Sequence, residues 1–188
     1  HEGLAVVTVP LERLADSIDA ATDLVAFSLV QSADGRVADH AAIRAAAAAH
    51  EVLTLADATQ AAGWLPFEAA DYDITVAGAY KWLLSPRGTA FMTVRPGLLD
   101  RVRPLYAGWY AGAEPWDSIY GTPLRLAADA RRLDLSPAWL AWVGTAASLQ
   151  LLHGVGIERI HAHDVGLANA LRGALGMSRA DSAMVSLP

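Results

Sequence analysis

Short apolar runs alternate along this chain with polar turns and with longer stretches of helical spacing. LAVVTV (4–9), LVAFSLV (24–30), VLTLAD (52–57), DITVAGAY (73–80) and TAFMTV (89–94) read as strands. Pro10 ends the first, having no N–H to give a ladder. Gln31 to Gly35 forms a polar turn after the second, with a glycine free to take positive φ. Glu12 to Ala21 predicts a short helix. The alanine-rich stretch 40–50 predicts another, with Asp39 as its N-cap. The turn Ser85-Pro86-Arg87-Gly88 leaves too little chain for a parallel crossover, so 89–94 is expected to run antiparallel to 73–80.

From Arg95 the texture changes. A helical turn over 97–103 leads into an irregular segment, 104–136, that holds Trp109, Tyr110, Trp116 and Tyr120. These aromatics either pack against the sheet or cross a subunit interface, where Trp and Tyr are enriched. Ser136 as N-cap and Pro137 at N1 predict a helix to about His153, with Leu140, Val143, Ala147 and Leu151 inward. A second helix, from Ile157 to Leu175, puts Ile160, Val165, Leu167 and Leu171 inward. SAMVSLP (182–188) reads as a further strand. With strand-like runs at both ends and His1 in first place, the chain is expected to be part of a longer protein.

Continuous apolar strands alternating with helices define the fold class as α/β. The expected architecture is a mostly parallel sheet with helices on both faces over 1–136, followed at 137–188 by a linker helix and the start of a smaller α+β domain. The 188 residues suit a substantial core. Net charge is −6 and pI about 5.4, with no basic run, which argues against nucleic acid or an anionic membrane as partner. With no cysteine, these residues hold no disulfide, thiolate metal site or sulfur nucleophile. No apolar run approaches the roughly 18 residues needed to span a bilayer, and HEGLAVV lacks a signal-peptide pattern. A cytoplasmic protein is expected.

Candidate chemistry gathers between Leu53 and Val94. Asp57 ends one apolar run and Lys81 follows another, placing opposite charges where strands finish, and open α/β sheets bind ligands outside those carboxyl ends. A lysine at an apolar edge can serve as nucleophile or base. A structural Asp–Lys ion pair explains the same two residues. Other constellations carry less. Gly154-Val155-Gly156 lacks a preceding strand and reads as a helix–helix turn, not a dinucleotide loop. His161 and His163, two apart on a helix, cannot share a metal and read as solvated surface.

Four motifs in register carry a resemblance: D-A-T-Q (57–60), G-A-Y-K-W-L (78–83) with S-P-R-G-T-A-F (85–91), the upstream F-S-L-V-Q-S-A-D-G (27–35), and A-R-R-L-D-L-S-P (130–137). Together they resemble the class V aminotransferase family of pyridoxal-phosphate (PLP) enzymes, which includes cysteine desulfurases and kynureninases. The resemblance implies that Lys81 forms the Schiff base with the cofactor and that Asp57 faces its pyridine nitrogen. A carboxylate there keeps the ring protonated and strengthens its pull on electrons. Gln60 is implied at the phenolic oxygen. Where many members hold Ser, this chain has Gly78, so the phosphate contact passes to Tyr80. Ser136 matches a Thr that reaches the phosphate of the neighbouring subunit's cofactor, which implies a homodimer. Ser32 stands where an Asn often meets substrate, and Arg132 is a conceivable anion contact beside a role as loop anchor. On this reading 1–136 belongs to the PLP-binding large domain. The implied activity is transamination or a C–S or C–C lyase reaction on an amino acid. A non-catalytic remnant kept for binding or assembly is the alternative.

Overall fold

The structure, a computed structural model, describes residues 3–187. β1 (Leu24–Ser28), β2 (Leu53–Asp57), β3 (Ile74–Gly78) and β4 (Ala90–Val94) form one sheet in the order β1-β2-β3-β4. The first three run parallel, in a register that sets Asp57 between Ser28 and Val76. β4 runs antiparallel to β3, with Gly78 opposite Ala90, as the short connection requires. Parallel neighbours need a crossover, and α1 (His40–Ala49) supplies it between β1 and β2. Asp39 caps it, accepting the Ala42 N–H at 3.0 Å. The expected class, a mostly parallel sheet with helices, is the one observed.

Burial alternates along the strands. Val25, Phe27, Ala56 and Ala77 point into one core with Ile43 and Ala47 of α1, and with Trp64, Leu65 and Tyr72 from the β2–β3 connection. Within this chain the other face of β1 is open at Leu24 and Ala26. At the start of β2 and β3 a buried carboxylate ties the strands together. Asp73 accepts the Thr54 N–H at 2.8 Å and its hydroxyl at 3.1 Å, and meets Arg95 at 2.9 Å.

Several expected elements are replaced. Residues 4–9 form no strand: Val6 and Val7 are exposed and no described segment pairs with them. The helix expected over 12–21 is two short 3-10 turns, Leu11–Arg13 and Ala15–Ser17, stopped where the Asp19 side chain takes the Ala21 N–H. Residues 182–187 are not a strand either, because Arg172 takes the carbonyls of Ser182 and Met184 that a ladder would need. Pro188 lies outside the described residues.

The two C-terminal helices are α2 (Trp139–Val155) and α3 (Ile157–Ala174), broken at Gly156, whose φ of +89° stops the first. The turn at 154–156 is therefore structural. α2 starts later than expected, with Ala138 and not Ser136 at the N-cap. Its packed face also differs. Leu140 is 90% exposed, Val143 73% and Leu151 60%, whereas Thr145 is fully buried against Thr89. Trp142 meets Phe91 edge-on, and a Cβ on Gly144 would fall 2.7 Å from Pro86. In α3, Ile160 and Val165 face the core as expected, but Leu167 and Leu171 are exposed and Ala168, Asn169 and Arg172 are buried instead. Hydrophobic spacing on an apolar helix does not choose among faces; close approach of small and hydroxyl residues does. No single helix among the described residues is long and apolar enough to cross a membrane.

The Asp73 clamp gives a stability prediction. Asp73→Ala, which strands the Thr54 donors and Arg95, is expected to lower unfolding free energy by about 2–3 kcal/mol in denaturant titrations.

Candidate active site

β2 delivers Asp57 to the sheet's carboxyl edge with its backbone held on both sides. Its carbonyl accepts the Leu29 N–H at 2.9 Å, and the next N–H, from Ala58, reaches Val76 at 2.8 Å. The carboxylate starts a tight turn by accepting the Thr59 N–H on Oδ1 at 2.8 Å, which leaves Oδ2 for a ligand. Thr59 then returns to β3, its Oγ1 accepting the Gly78 N–H at 3.0 Å. A side chain at Gly78 would press within 3.1 Å of the Tyr80 ring. The absence of a side chain at Gly78 thus makes room for the tyrosine.

Lys81 sits in the turn that leaves β3. Leu84 closes that turn, its N–H bonding the Lys81 carbonyl at 3.0 Å in the left-handed region at φ +55°. Ser148 of α2 donates to the Leu84 carbonyl at 2.8 Å and holds the turn from outside. Lys81 itself is exposed, so the apolar setting suggested by the flanking run is absent. It forms no ion pair with Asp57. Instead its Nζ lies 5.5 Å from the Tyr80 ring centre, with Arg87 at 4.6 Å from the same ring. The Arg87 guanidinium against the phenol makes an electropositive corner suited to a phosphate.

Gln60 is the most tightly specified of these side chains. Its Nε2 donates to Ser32 Oγ at 2.9 Å and its Oε1 accepts the Trp82 indole N–H at 3.1 Å. Its carbonyl accepts the indole N–H of the fully buried Trp64 at 2.6 Å. Gly63 lets the two turns meet: at φ +113°, a Cβ there would lie 2.5 Å from the Trp82 carbonyl oxygen. His161 stacks on Trp64, its plane 3° from parallel at 5.8 Å, and its Nε2 lies 3.3 Å from Asp181. That half-buried position corrects its reading as solvated surface, while His163 is exposed. The turn holding Ser32 is itself anchored. Ser182 donates to the Gly35 carbonyl at 2.6 Å, and the Arg36 backbone N–H and guanidinium hold the Asp34 carboxyl below the usual aspartate range.

Asp57, Gln60, Ser32, Tyr80 and Lys81 thus lie along one edge or in the turns that leave it. Ser136 and Arg132 hydrogen-bond to none of them. Ser136 is exposed beside Gly108, and Arg132 is drawn to Asp100 at 2.7 Å, as a loop anchor. Two clefts, of about 840 and 820 Å³, lie away from this edge, beside α1 and near Arg172. Thr59, Trp64, Trp82 and Arg87 join this edge through contacts that the sequence motifs do not specify, although all but Trp64 lie within 57–60, 78–83 or 85–91. Their signal in the sequence is a donor or cation at fixed spacing from Gln60 and Lys81. The donor set fits pyridoxal phosphate: a carboxylate for a ring N–H, an amide N–H for a phenolic oxygen, an amine for a carbonyl carbon and a cationic corner for phosphate.

The family model for aminotransferase class-V matches residues 5–183, and the chain belongs to that family. It is 32% identical over 158 residues to the uncharacterized aminotransferase YcbU of Bacillus subtilis, covering 82% of this chain and 41% of that protein. A probable cysteine desulfurase of Methanothermobacter thermautotrophicus is 28% identical, over 85% of this chain and 40% of its own length. The chain therefore spans about two-fifths of these relatives. Among solved structures, the cysteine desulfurase CsdA of Escherichia coli shares the fold, with a TM-score of 0.77 at 18% identity over 92% of this chain and 45% of that one. The cystine C-S lyase C-DES, in complex with cysteine persulfide, gives a TM-score of 0.71 at 25% identity, over 85% and 43%.

Gly63 yields the local prediction. Gly63→Ala forces a Cβ into the Trp82 backbone at a positive φ and is expected to destabilise the protein by about 1–3 kcal/mol, read from its thermal midpoint.

Proposed function

We propose that this chain carries the cofactor-holding edge of a pyridoxal-phosphate enzyme acting on an amino acid, as an aminotransferase or a C–S or C–C lyase. The observation that carries the reading is that Asp57 and Lys81 stand at the exits of adjacent parallel strands without pairing, with the Gln60 amide fixed beside them. Membership of the class V family supports the same cofactor. When bound, the cofactor supplies an electron sink for charge developing at the substrate α-carbon.

The chain's own residues do the rest. Asp57 holds a proton at the ring nitrogen. Gln60 donates an N–H to the phenolic oxygen, and Tyr80 with Arg87 orients the phosphate. Lys81 would hold the cofactor through Nζ, and its free amine would accept the substrate's α-proton. Ser32, held beside Gln60, lies on the substrate side. Residues 1–136 are part of the large domain and 137–188 lead into the small one. Ser136 extends toward the phosphate of the neighbouring subunit's cofactor in a homodimer. The exposed Leu140, Val143 and Leu151, with Tyr106 and Tyr120, support that interface.

Two experiments test this reading. The complete protein mixed with PLP shows a visible absorption band that borohydride abolishes. Lys81→Ala lacks the band and loses activity by about a thousandfold or more. A band unchanged by the substitution refutes the role of Lys81. In sedimentation the complete protein runs as a dimer, and Ser136→Ala holds PLP less tightly. A monomer that retains PLP fully overturns the role of Ser136.

A further inference from the structure

We infer that Trp82, the residue after the lysine, is a positioning residue that sets which end of the Gln60 amide faces the cofactor. The inference rests on the reading above and extends it to a contact that the family resemblance does not supply. The two ends of a glutamine amide have nearly the same shape, so packing alone does not orient them. An indole N–H is a donor only. Its bond to Gln60 at 3.1 Å therefore assigns that end of the amide as Oε1. The other end is Nε2, which gives one N–H to Ser32 at 2.9 Å and keeps a second. Gln60 can then offer an N–H, and not a lone pair, to an anionic oxygen at the strand edge.

Two further contacts keep Trp82 where it can do this. Its ring packs at 5.8 Å from Trp64, whose own N–H holds the Gln60 carbonyl at 2.6 Å. The Gly63 backbone lies against the Trp82 carbonyl at a distance that admits no side chain. The main chain and the side chain of Gln60 are thus each held by a different indole. With the N–H of Trp82 removed, Ser32 alone remains, and a hydroxyl can donate or accept. The amide is then free to turn over and present Oε1 to the phenolic oxygen, where two acceptors repel.

The test uses the complete protein and reads PLP affinity by equilibrium dialysis and the visible band as a function of pH. Trp82→Phe keeps the ring and deletes the donor. It is expected to weaken PLP binding about tenfold, the loss of one hydrogen bond to a charged group. The midpoint of the band's pH dependence moves upward, because the oxygen loses a donor that favours its anionic form. In a Gln60→Ala background the same substitution changes neither quantity. Gln60→Glu, which keeps the shape and removes the N–H, binds PLP more weakly than Gln60→Ala and serves if Trp82→Phe does not fold. Equal losses from Trp82→Phe in both backgrounds, or a Gln60→Glu protein that binds like the parent, overturn the inference. If the parent protein itself binds no PLP, the proposed function fails instead.

Discussion

A buried indole has to find an acceptor, and Trp64 finds it in the carbonyl of Gln60. Much of the site's geometry depends on that bond. Trp64 has no exposure at all, so its ring sits in the core with Ile43, Ala47 and Tyr72 while its N–H reaches out to the β2–β3 turn. The turn is thereby anchored from beneath. Trp82 leans on the same ring from one side and His161 of α3 from another, so the lysine turn and the C-terminal helix are registered against one buried side chain. The core that stabilises the sheet and the polar shelf at its edge share a residue.

The shelf works because its charges are kept apart. Asp57 is held by backbone N–H groups and strand neighbours, and Lys81 is turned toward the Tyr80 ring. A direct pair would have satisfied both ions and left nothing for a ligand. The strand ladder enforces the separation. Asp57 is the last residue of β2, whereas Lys81 lies three residues past the end of β3, in a turn pinned by the left-handed Leu84 and by Ser148 of α2. Thr59 bridges the two exits through Gly78 without neutralising either charge.

Small residues decide where the outer elements dock. Gly144 lets α2 approach Pro86, Gly63 admits the Trp82 backbone, and Gly78 leaves space for Tyr80. Thr145 joins Thr89 by a buried hydroxyl pair at 3.1 Å. In each case the contact is set by the absence of a side chain or by a single polar atom, which weighs little in a hydropathy pattern. The large apolar residues on the outer face of α2 remain exposed in this chain.

Much of the sheet was legible from residue order alone. The apolar runs that became β1 to β4, the Asp39 cap, the antiparallel turn at 85–88 and the placement of Asp57 and Lys81 at strand exits follow from local rules of spacing, capping and chain reach. Terminal runs with good strand propensity failed because a strand needs a ladder partner, and Arg172 claims the carbonyls that 182–187 would have offered. The packed faces of α2 and α3, the stacking of His161 on Trp64 and the anchoring of Arg132 by Asp100 come from partners far away in the chain. Local sequence named the groups that could hold a cofactor. Only the tertiary structure separated Asp57 from Lys81 and turned the Gln60 amide, because those outcomes depend on which distant indole, hydroxyl or glycine lies alongside.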